Sequence, residues 1–281
     1  MKTLSANDLI DRYDAVLLDA YGVLVDATST LPHAVAFIEA LRARRKPFYI
    51  VTNDASRLED NIAARFARLG LPIEAAQIVT SAGLLTKHFA QNDLVGAPTL
   101  ILGSEDAQAY VRRAGGKLVL PSQGPQGDVR AVVICMASGP STVNDVECVI
   151  DTVVARREAG RPIDLILCNP DLIYPKSPGR YGLTSGALMA LVEQSLTTRL
   201  HPSLMPPVAR LGKPFPEIFA EAARRAGGGK LALVGDQLGT DILGAKNAGI
   251  DAVLVGTGLT QVRPGQTLTP TPDFLLQDLA L

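Results

Sequence analysis

Short apolar runs alternate with helical patterns along the first part of the chain. The run DAVLLDA (14–20) precedes PHAVAFIEALRARR (32–45), in which apolar residues recur at helical spacing and Pro32 suits a first helical turn. PFYIVT and QIVTS predict two more strands, and LEDNIAARFARLG and AGLLTKHFA predict two more helices. This alternation of strand and helix predicts a parallel sheet in an α/β protein.

The middle of the chain holds a second series of the same kind. PTLILG, RAVVICMA and IDLILCN read as strands, with helical patterns over SEDAQAYVRRAGG and over 143–158. Two Gly/Pro-rich stretches interrupt it, LPSQGPQGD and NPDLIYPKSPGRYG. The second stretch is long enough to predict a binding loop rather than a simple connector.

The first series resumes after the proline-marked stretch HPSLMPP (201–207). PEIFAEAARRAGGG and LGTDILGAKNAG are helical patterns, and KLALVGD and DAVLVG are strand-like. The simplest architecture is therefore one α/β domain split by an inserted α/β domain of roughly 120 residues. We place the core at 1–82 and 206–281 and the insertion at 83–205.

Composition and charge argue against nucleic acid and membranes as partners. Of the 281 residues, 47% are hydrophobic and 20% charged, and the net charge of −1 gives no electrostatic footprint for nucleic acid or an anionic membrane. The three cysteines fit no zinc or disulfide spacing. No stretch approaches the roughly 20 apolar residues of a membrane span. We expect a cytoplasmic protein with no nucleic-acid or membrane partner.

Polar residues stand where the predicted strands of the split domain end. In open parallel sheets the active site lies at the carboxyl ends of the strands, so these residues are the first candidates for chemistry. Lys213, in GKP, opens the helix before a late strand. The strand-end candidates are Asp19, Thr52, Asn53 and Asp236, with Asp241 five residues further on.

Together these residue types favour phosphoryl transfer. Mg²⁺ prefers oxygen ligands, which Asp19 and Asp236 would supply. Lys213, Thr52 and the amides after Asp19 would donate to phosphoryl oxygens as charge develops on them. A single aspartate at a strand end is more often a turn former or helix cap, so the interpretation depends on the whole set. Asp241 could equally cap the helix that follows it.

Four motifs resemble those of the haloacid dehalogenase superfamily of aspartate-nucleophile phosphatases: LLDAYGVL, IVTND, GKP and GDQLGTD. The large insertion between the second and third motifs is similar to the type-2 cap of the NagD-like branch, as are TNDASR and NPDLIYP. The resemblance implies a Rossmann-like core with an inserted α/β cap. It also implies a small phosphate ester as substrate and a homodimer formed through the cap.

The resemblance also implies roles for individual residues. Asp19 would attack phosphorus and form an aspartyl phosphate that water hydrolyses. Mg²⁺ would be held by the side chains of Asp19 and Asp236 and by the main-chain carbonyl of Tyr21. Asp241 would either bind the ion directly or contact one of its ligands. The remaining roles are phosphate binding by Gly22, Thr52, Asn53 and Lys213, and substrate contacts from Asn169 and Asp171 of the cap.

Tyr21 departs from the family pattern. Phosphatases of this family have a second aspartate two residues after the nucleophile, which protonates the leaving oxygen and later activates water. Such a group is worth about 10²–10⁴-fold, and a phenol with a reference pKa near 10 replaces it poorly. We therefore expect slow turnover, or turnover restricted to leaving groups that depart without a proton.

Two other functions stay open. Loss of the acid would also suit a protein that binds a phosphorylated ligand without turnover or accumulates a phosphoprotein. DAYGVL further resembles the first motif of 2-haloacid dehalogenases, in which the aspartate attacks carbon and displaces halide. Both carboxylates of GDQLGTD and the short segment VDATST after the first motif argue against that chemistry.

Overall fold

The computed structural model describes residues 2–123, 128–135, 142–177, 180–263 and 265–281. They form two compact units. The core unit comprises Met1–Thr52, Glu59–Thr80 and Lys213–Leu281, and the inserted unit comprises Asn53–Leu58 and Ser81–Gly212.

The strands, in chain order, are β1 (Lys2–Thr3), β2 (Ala15–Leu18), β3 (Phe48–Thr52), β4 (Ile78–Thr80), β5 (Pro98–Leu102), β6 (Lys117–Val119), β7 (Ala131–Ile134), β8 (Asp164–Leu167), β9 (Ile173–Ser177), β10 (Arg180–Leu183), β11 (Val208–Arg210), β12 (Leu231–Gly235), β13 (Asp251–Val255) and β14 (Phe274–Leu276). The α-helices are α1 (Ala6–Arg12), α2 (Ala34–Ala43), α3 (Glu59–Arg68), α4 (Leu85–Gln91), α5 (Glu105–Arg113), α6 (Thr142–Glu158), α7 (Ser185–Arg199), α8 (Pro216–Arg225) and α9 (Leu243–Asn247).

The core unit contains a seven-stranded sheet in the order β1-β14-β13-β12-β2-β3-β4, with every neighbouring pair parallel. Every residue of β2 and β12 is buried, as expected for central strands covered on both faces. The predicted α/β class with a Rossmann-like parallel sheet is confirmed. Because β2 lies between β12 and β3, the residues that end these three strands share one edge of the sheet.

Helix α3 illustrates how the sequence sets a local element. It begins with Glu59 and Asp60 and has Arg65 and Arg68 in its last turn, which complements the helix dipole. Ile62 and Phe66, four residues apart, form its buried face and pack in the apolar core of this unit.

The inserted unit has its own five-stranded sheet, in the order β11-β8-β7-β5-β6, again with all pairs parallel. Helices α6 and α7 contribute Val149, Val153, Met189 and Val192 to its apolar core. The strands β9 and β10 form a separate antiparallel pair. Among the described residues, no helix is long and apolar enough to cross a membrane.

The division into units differs from the predicted boundaries in three places. Asn53–Leu58 and residues 81–82 group with the inserted unit, although we placed all of 1–82 in the core. Strand β11 pairs with β8 of the inserted sheet, although we placed 206–212 in the core. A three-residue strand with no alternation gives too weak a pattern to assign it to one sheet or the other.

The stretch NPDLIYPKSPGRYG is more regular than the binding loop that we predicted. Its later part contributes to the antiparallel pair of β9 and β10, in which Ile173 lies opposite Leu183. Pro175 lies inside β9, and a proline within an apolar run argues against a strand unless that strand has a free edge. This two-stranded sheet has such edges, so the proline is tolerated.

Candidate active site

The register of the core sheet places Asp19 and Asp236 side by side. Leu18, the last residue of β2, pairs with Val234 of β12, and the amide of Asp19 donates to the carbonyl of Val234 at 2.9 Å. Asp236 follows β12 directly, and Thr52 ends β3 on the other side of β2. All three side chains are buried.

Lys213 joins two of the carboxylates. Its ammonium lies 2.7 Å from Oδ1 of Asp19 and 2.6 Å from Oδ1 of Asp241, and the side chain is only 3% exposed. Burial alone would lower the pKa of Lys213, but the charges of Asp19 and Asp241 outweigh it and raise that pKa above its usual value. The lysine is therefore a fixed positive charge between two acids.

Asp241 lies in a wide helical turn, Leu238–Ile242, that precedes α9. Its Oδ2 accepts the amides of Asp236 and Gln237 at 3.2 and 3.1 Å, while Oδ1 contacts Lys213. Asp241 therefore does not cap α9, because Ile242 is the residue before that helix and the amides that Asp241 accepts precede it in the chain. One oxygen holds the backbone of the turn, and the other belongs to the charged cluster.

The cluster fits a divalent cation. Asp19, Asp236 and Asp241 each offer an oxygen, and these oxygens all lie within 4.8 Å of one another. Oδ2 of Asp236 accepts the amide of Leu259 at 2.7 Å, whereas Oδ1 is buried and has no hydrogen-bond partner among the described residues. Three ionised carboxylates and the ammonium of Lys213 would leave two negative charges, and the all-oxygen donor set suits Mg²⁺.

The pKa values of two of these acids reflect the same crowding. Burial raises the pKa of Asp19 well above its ordinary value, against the opposing charge of Lys213. Burial, and then the charge of Asp241, raises the pKa of Asp236 to about 7. A cation bound among them would favour the ionised forms.

Gly22 packs directly against Asp236. A Cβ at Gly22 would lie 2.3 Å from Oδ2 of Asp236, and Gly22 has a φ of +77°. Both facts require glycine at this position. The phosphate-binding role that we predicted for Gly22 stays a prediction, and the contact with Asp236 gives the glycine a second reason to be there.

Tyr21 is partly buried and its ring lies beneath a cation. The guanidinium carbon of Arg65 is 5.3 Å from the ring centroid, and the same side chain donates to the carbonyls of Asp26 and Ala27 at 3.1 and 3.2 Å. Arg65 thereby holds both the ring and the segment that follows the first motif. Nothing in the sequence signals this contact, because Arg65 is there only a basic residue near the end of a helical pattern.

Three other predicted residues meet within the inserted unit. The side-chain amide of Asn53 donates to Oδ1 of Asp171 at 3.1 Å, and the amide of Asp171 donates to Oδ1 of Asn169 at 2.9 Å. Gly186 lies against this turn, since a Cβ there would be 2.3 Å from the carbonyl oxygen of Pro170. The roles predicted for these side chains toward phosphate and substrate stay predictions.

Comparison with known families accounts for this arrangement. Residues 16–117 match the family described as haloacid dehalogenase-like hydrolase, and residues 210–281 match one described as HAD-hydrolase-like. These matches include the segments that carry Asp19, Lys213, Asp236 and Asp241. The chain belongs to the haloacid dehalogenase-like hydrolases.

Individual relatives agree with this assignment over nearly the whole chain. The acid sugar phosphatase of Staphylococcus aureus is 28% identical over 270 residues, which are 95% of this chain and 96% of the relative. The structure of a possible sugar phosphatase from Cytophaga hutchinsonii is 27% identical, with a TM-score of 0.82 over 100% of this chain and 99% of that one. These relatives confirm the predicted class of enzyme, a haloacid dehalogenase-like phosphatase.

Two further solved structures are similar to this chain. The glycerol phosphate phosphatase of Mycobacterium tuberculosis, solved in complex with calcium, is 27% identical, with a TM-score of 0.73 over 90% of this chain and 68% of that one. NagD from Escherichia coli K-12, at 22% identity, has a TM-score of 0.76 over 95% of this chain and 96% of its own. The latter shows the shared fold.

Proposed function

We propose that the protein is a Mg²⁺-dependent phosphohydrolase of a small phosphorylated metabolite that acts through an aspartyl phosphate on Asp19. The observation that carries this proposal is the buried cluster of Asp19, Asp236 and Asp241, with oxygens within 4.8 Å of one another and Lys213 bound to two of them. Bound there, Mg²⁺ would neutralise charge on the phosphoryl oxygens.

The hydrogen bonds of Asp19 assign its two oxygens to different tasks. The amide of Ala20 and the ammonium of Lys213 both contact Oδ1, each at 2.7 Å. This fixes the orientation of the carboxylate, so we assign the attack on phosphorus to Oδ2. The lysine and the buried hydroxyl of Thr52 would then receive the phosphoryl oxygens as the leaving group departs.

Tyr21 restricts which esters react quickly. The position that would carry a carboxylic acid in this family holds a phenol under the Arg65 guanidinium. Esters whose leaving groups need no proton, such as aryl and acyl phosphates, should therefore be the best substrates in vitro. The names of the sugar and glycerol phosphate phosphatases among the relatives support a sugar or polyol phosphate as the natural substrate class.

The test is phosphate release from p-nitrophenyl phosphate, acetyl phosphate, and sugar and glycerol phosphates, with Mg²⁺ or with a chelator. We expect turnover only with Mg²⁺, and none from Asp19→Asn. A phosphoprotein that accumulates without turnover would instead favour the phosphoprotein-forming alternative. Halide release from a 2-haloacid in the presence of the chelator would favour the dehalogenase.

A further inference from the structure

The loop after β13 contacts two parts of the catalytic cluster at once. The hydroxyl of Thr257 donates to the carbonyl of Gly22 at 2.8 Å, and the amide of Leu259 donates to Oδ2 of Asp236 at 2.7 Å. The amide of Thr260 also reaches the main-chain carbonyl of Asp236, at 3.2 Å. The loop thus binds both the turn after the nucleophile and the acid at the end of β12.

Close packing leaves this arrangement little freedom. A Cβ at Gly258 would lie 2.2 Å from Oδ2 of Asp236, and one at Gly22 would lie 2.3 Å from the same oxygen. The carboxylate is therefore enclosed between two stretches of backbone that approach it only because both residues are glycines. The side chain of Thr257 joins the stretch that contains Gly258 to the stretch that contains Gly22.

We propose that Thr257 is a positioning residue for the metal site, an inference that rests on the Mg²⁺-dependent function proposed above. Its hydroxyl binds the carbonyl of Gly22, and so sets the distance between the turn after the nucleophile and Asp236. Asp236, through the Oδ1 that has no hydrogen-bond partner in the described part of the chain, and that turn are the groups that would hold the cation, and Thr257 would keep them in place for it. Thr257 would act through these groups, and we do not assign it as a ligand of the cation.

A hydroxyl that donates to a loop carbonyl usually serves only local stability, whereas a positioning residue also changes the affinity for the metal. Groups that orient metal ligands typically change metal affinity or activity by about 10–100-fold when they are removed. We therefore expect Thr257→Val, which keeps the shape of the side chain but loses the donor, to weaken Mg²⁺ binding about tenfold. Thr257→Ser keeps the donor and should bind Mg²⁺ like the wild type.

The experiment is a calorimetric titration of the metal-free full chain with Mg²⁺ alone, in the absence of substrate. Thr271→Val is a matched control, because Thr271 donates to the carbonyl of Leu268 at 2.9 Å in the same way but forms no hydrogen bond to the cluster. It should leave Mg²⁺ affinity unchanged. If Thr257→Val does not fold, the comparison of Thr257→Ala with Thr257→Ser isolates the same hydroxyl.

The outcomes separate this inference from the proposed function. Wild-type affinity in Thr257→Val, or equal affinity in the alanine and serine variants, would overturn the role of Thr257 and leave the proposed function standing. Loss of affinity in Thr271→Val as large as that in Thr257→Val would also overturn it, because the effect would then be general. A wild type that binds no Mg²⁺ would overturn both.

Discussion

The ammonium of Lys213 lies 2.7 Å from the Asp19 oxygen that also accepts the amide of Ala20. The buried ammonium thus orients the proposed nucleophile and lies between it and Asp241, whose Oδ1 is 2.6 Å from the same nitrogen. The relationship gives Lys213 two tasks that can be measured separately. One is charge balance in the metal-free cluster, and the other is stabilisation of the transferred phosphoryl group.

Lys213→Met should abolish most activity while leaving Mg²⁺ binding intact. Loss of a preorganised donor to the developing charge costs about 10²–10³-fold in kcat. Removing one partner of a buried ion pair costs about 3–5 kcal/mol, so the metal-free variant should melt well below the wild type. Because Lys213 is not a proposed ligand, Mg²⁺ should still raise the melting temperature. A variant that keeps normal turnover would contradict this role.

Tyr21→Asp should raise the rate on alkyl phosphates by at least about tenfold, because it restores the missing general acid and base. The new carboxylate would lie near Arg65, whose guanidinium is 5.3 Å from the present ring centroid. Phosphate release from glycerol phosphate and p-nitrophenyl phosphate should be compared, with the larger gain on the alkyl ester. Tyr21→Phe is the control and should change neither rate; an unchanged or lower rate for the aspartate variant would refute our account of Tyr21.

Much of the cluster was predictable because its members follow strong local patterns. Asp19 and Asp236 each end an apolar run bounded by a turn, and parallel strands bring such ends to one edge. Lys213 was predictable because it lies at the start of the helical pattern that precedes a late strand. The hydrophobic pattern therefore predicted where these strands end and that they are buried, whereas the order of the strands became known only from the structure.

The remaining contacts have no local signature. The amide of Leu259 binds Asp236, and every residue except proline carries that donor, so nothing in the side-chain sequence marks it. Arg65 reaches Tyr21 from α3, a separate element whose placement depends on tertiary packing. The membership of β11 in the inserted sheet likewise depends on pairing over a long sequence distance.

Gly258→Ala should disrupt the site by steric contact alone. Its added Cβ would lie 2.2 Å from the Asp236 side chain, and Gly258 does not have a left-handed backbone conformation that would add strain. Forced overpacking of this kind costs about 1–3 kcal/mol, so we expect a lower melting temperature and a smaller Mg²⁺ response. Gly239→Ala is the control, since nothing lies within 4 Å of a Cβ there. Equal behaviour of the two variants would contradict the close packing.

Asn53 and Asp171 should act as a coupled pair in substrate binding. Their side chains are joined by a hydrogen bond of 3.1 Å, so replacing either one with alanine removes the same interaction. Residues in contact show coupling energies of about 0.5–3 kcal/mol. A double-mutant cycle on KM for the best substrate of the panel should show effects that are less than additive. Strictly additive effects would indicate that the two side chains contribute independently.

The pKa of Asp236 predicts that Mg²⁺ and pH act together on stability. Burial, followed by the charge of Asp241, raises this pKa from 3.8 to about 7. Between these values the folded, metal-free protein holds a proton that the unfolded chain has released. Since the folded state binds more protons in that window, the free energy of unfolding falls as the pH rises through it.

Mg²⁺ should oppose this loss, because it binds the ionised carboxylate and competes with the proton. We therefore expect the Mg²⁺-induced rise in melting temperature to be small near pH 6 and clearly larger near pH 8, about one unit on either side of the Asp236 pKa. Thermal unfolding with Mg²⁺ and with a chelator across that range measures the difference. In Asp236→Asn the Mg²⁺ response should be lost at both pH values, because the neutral amide has no charge to offer the cation. A wild-type response of equal size at the two pH values would show that Asp236 does not control metal binding in this range.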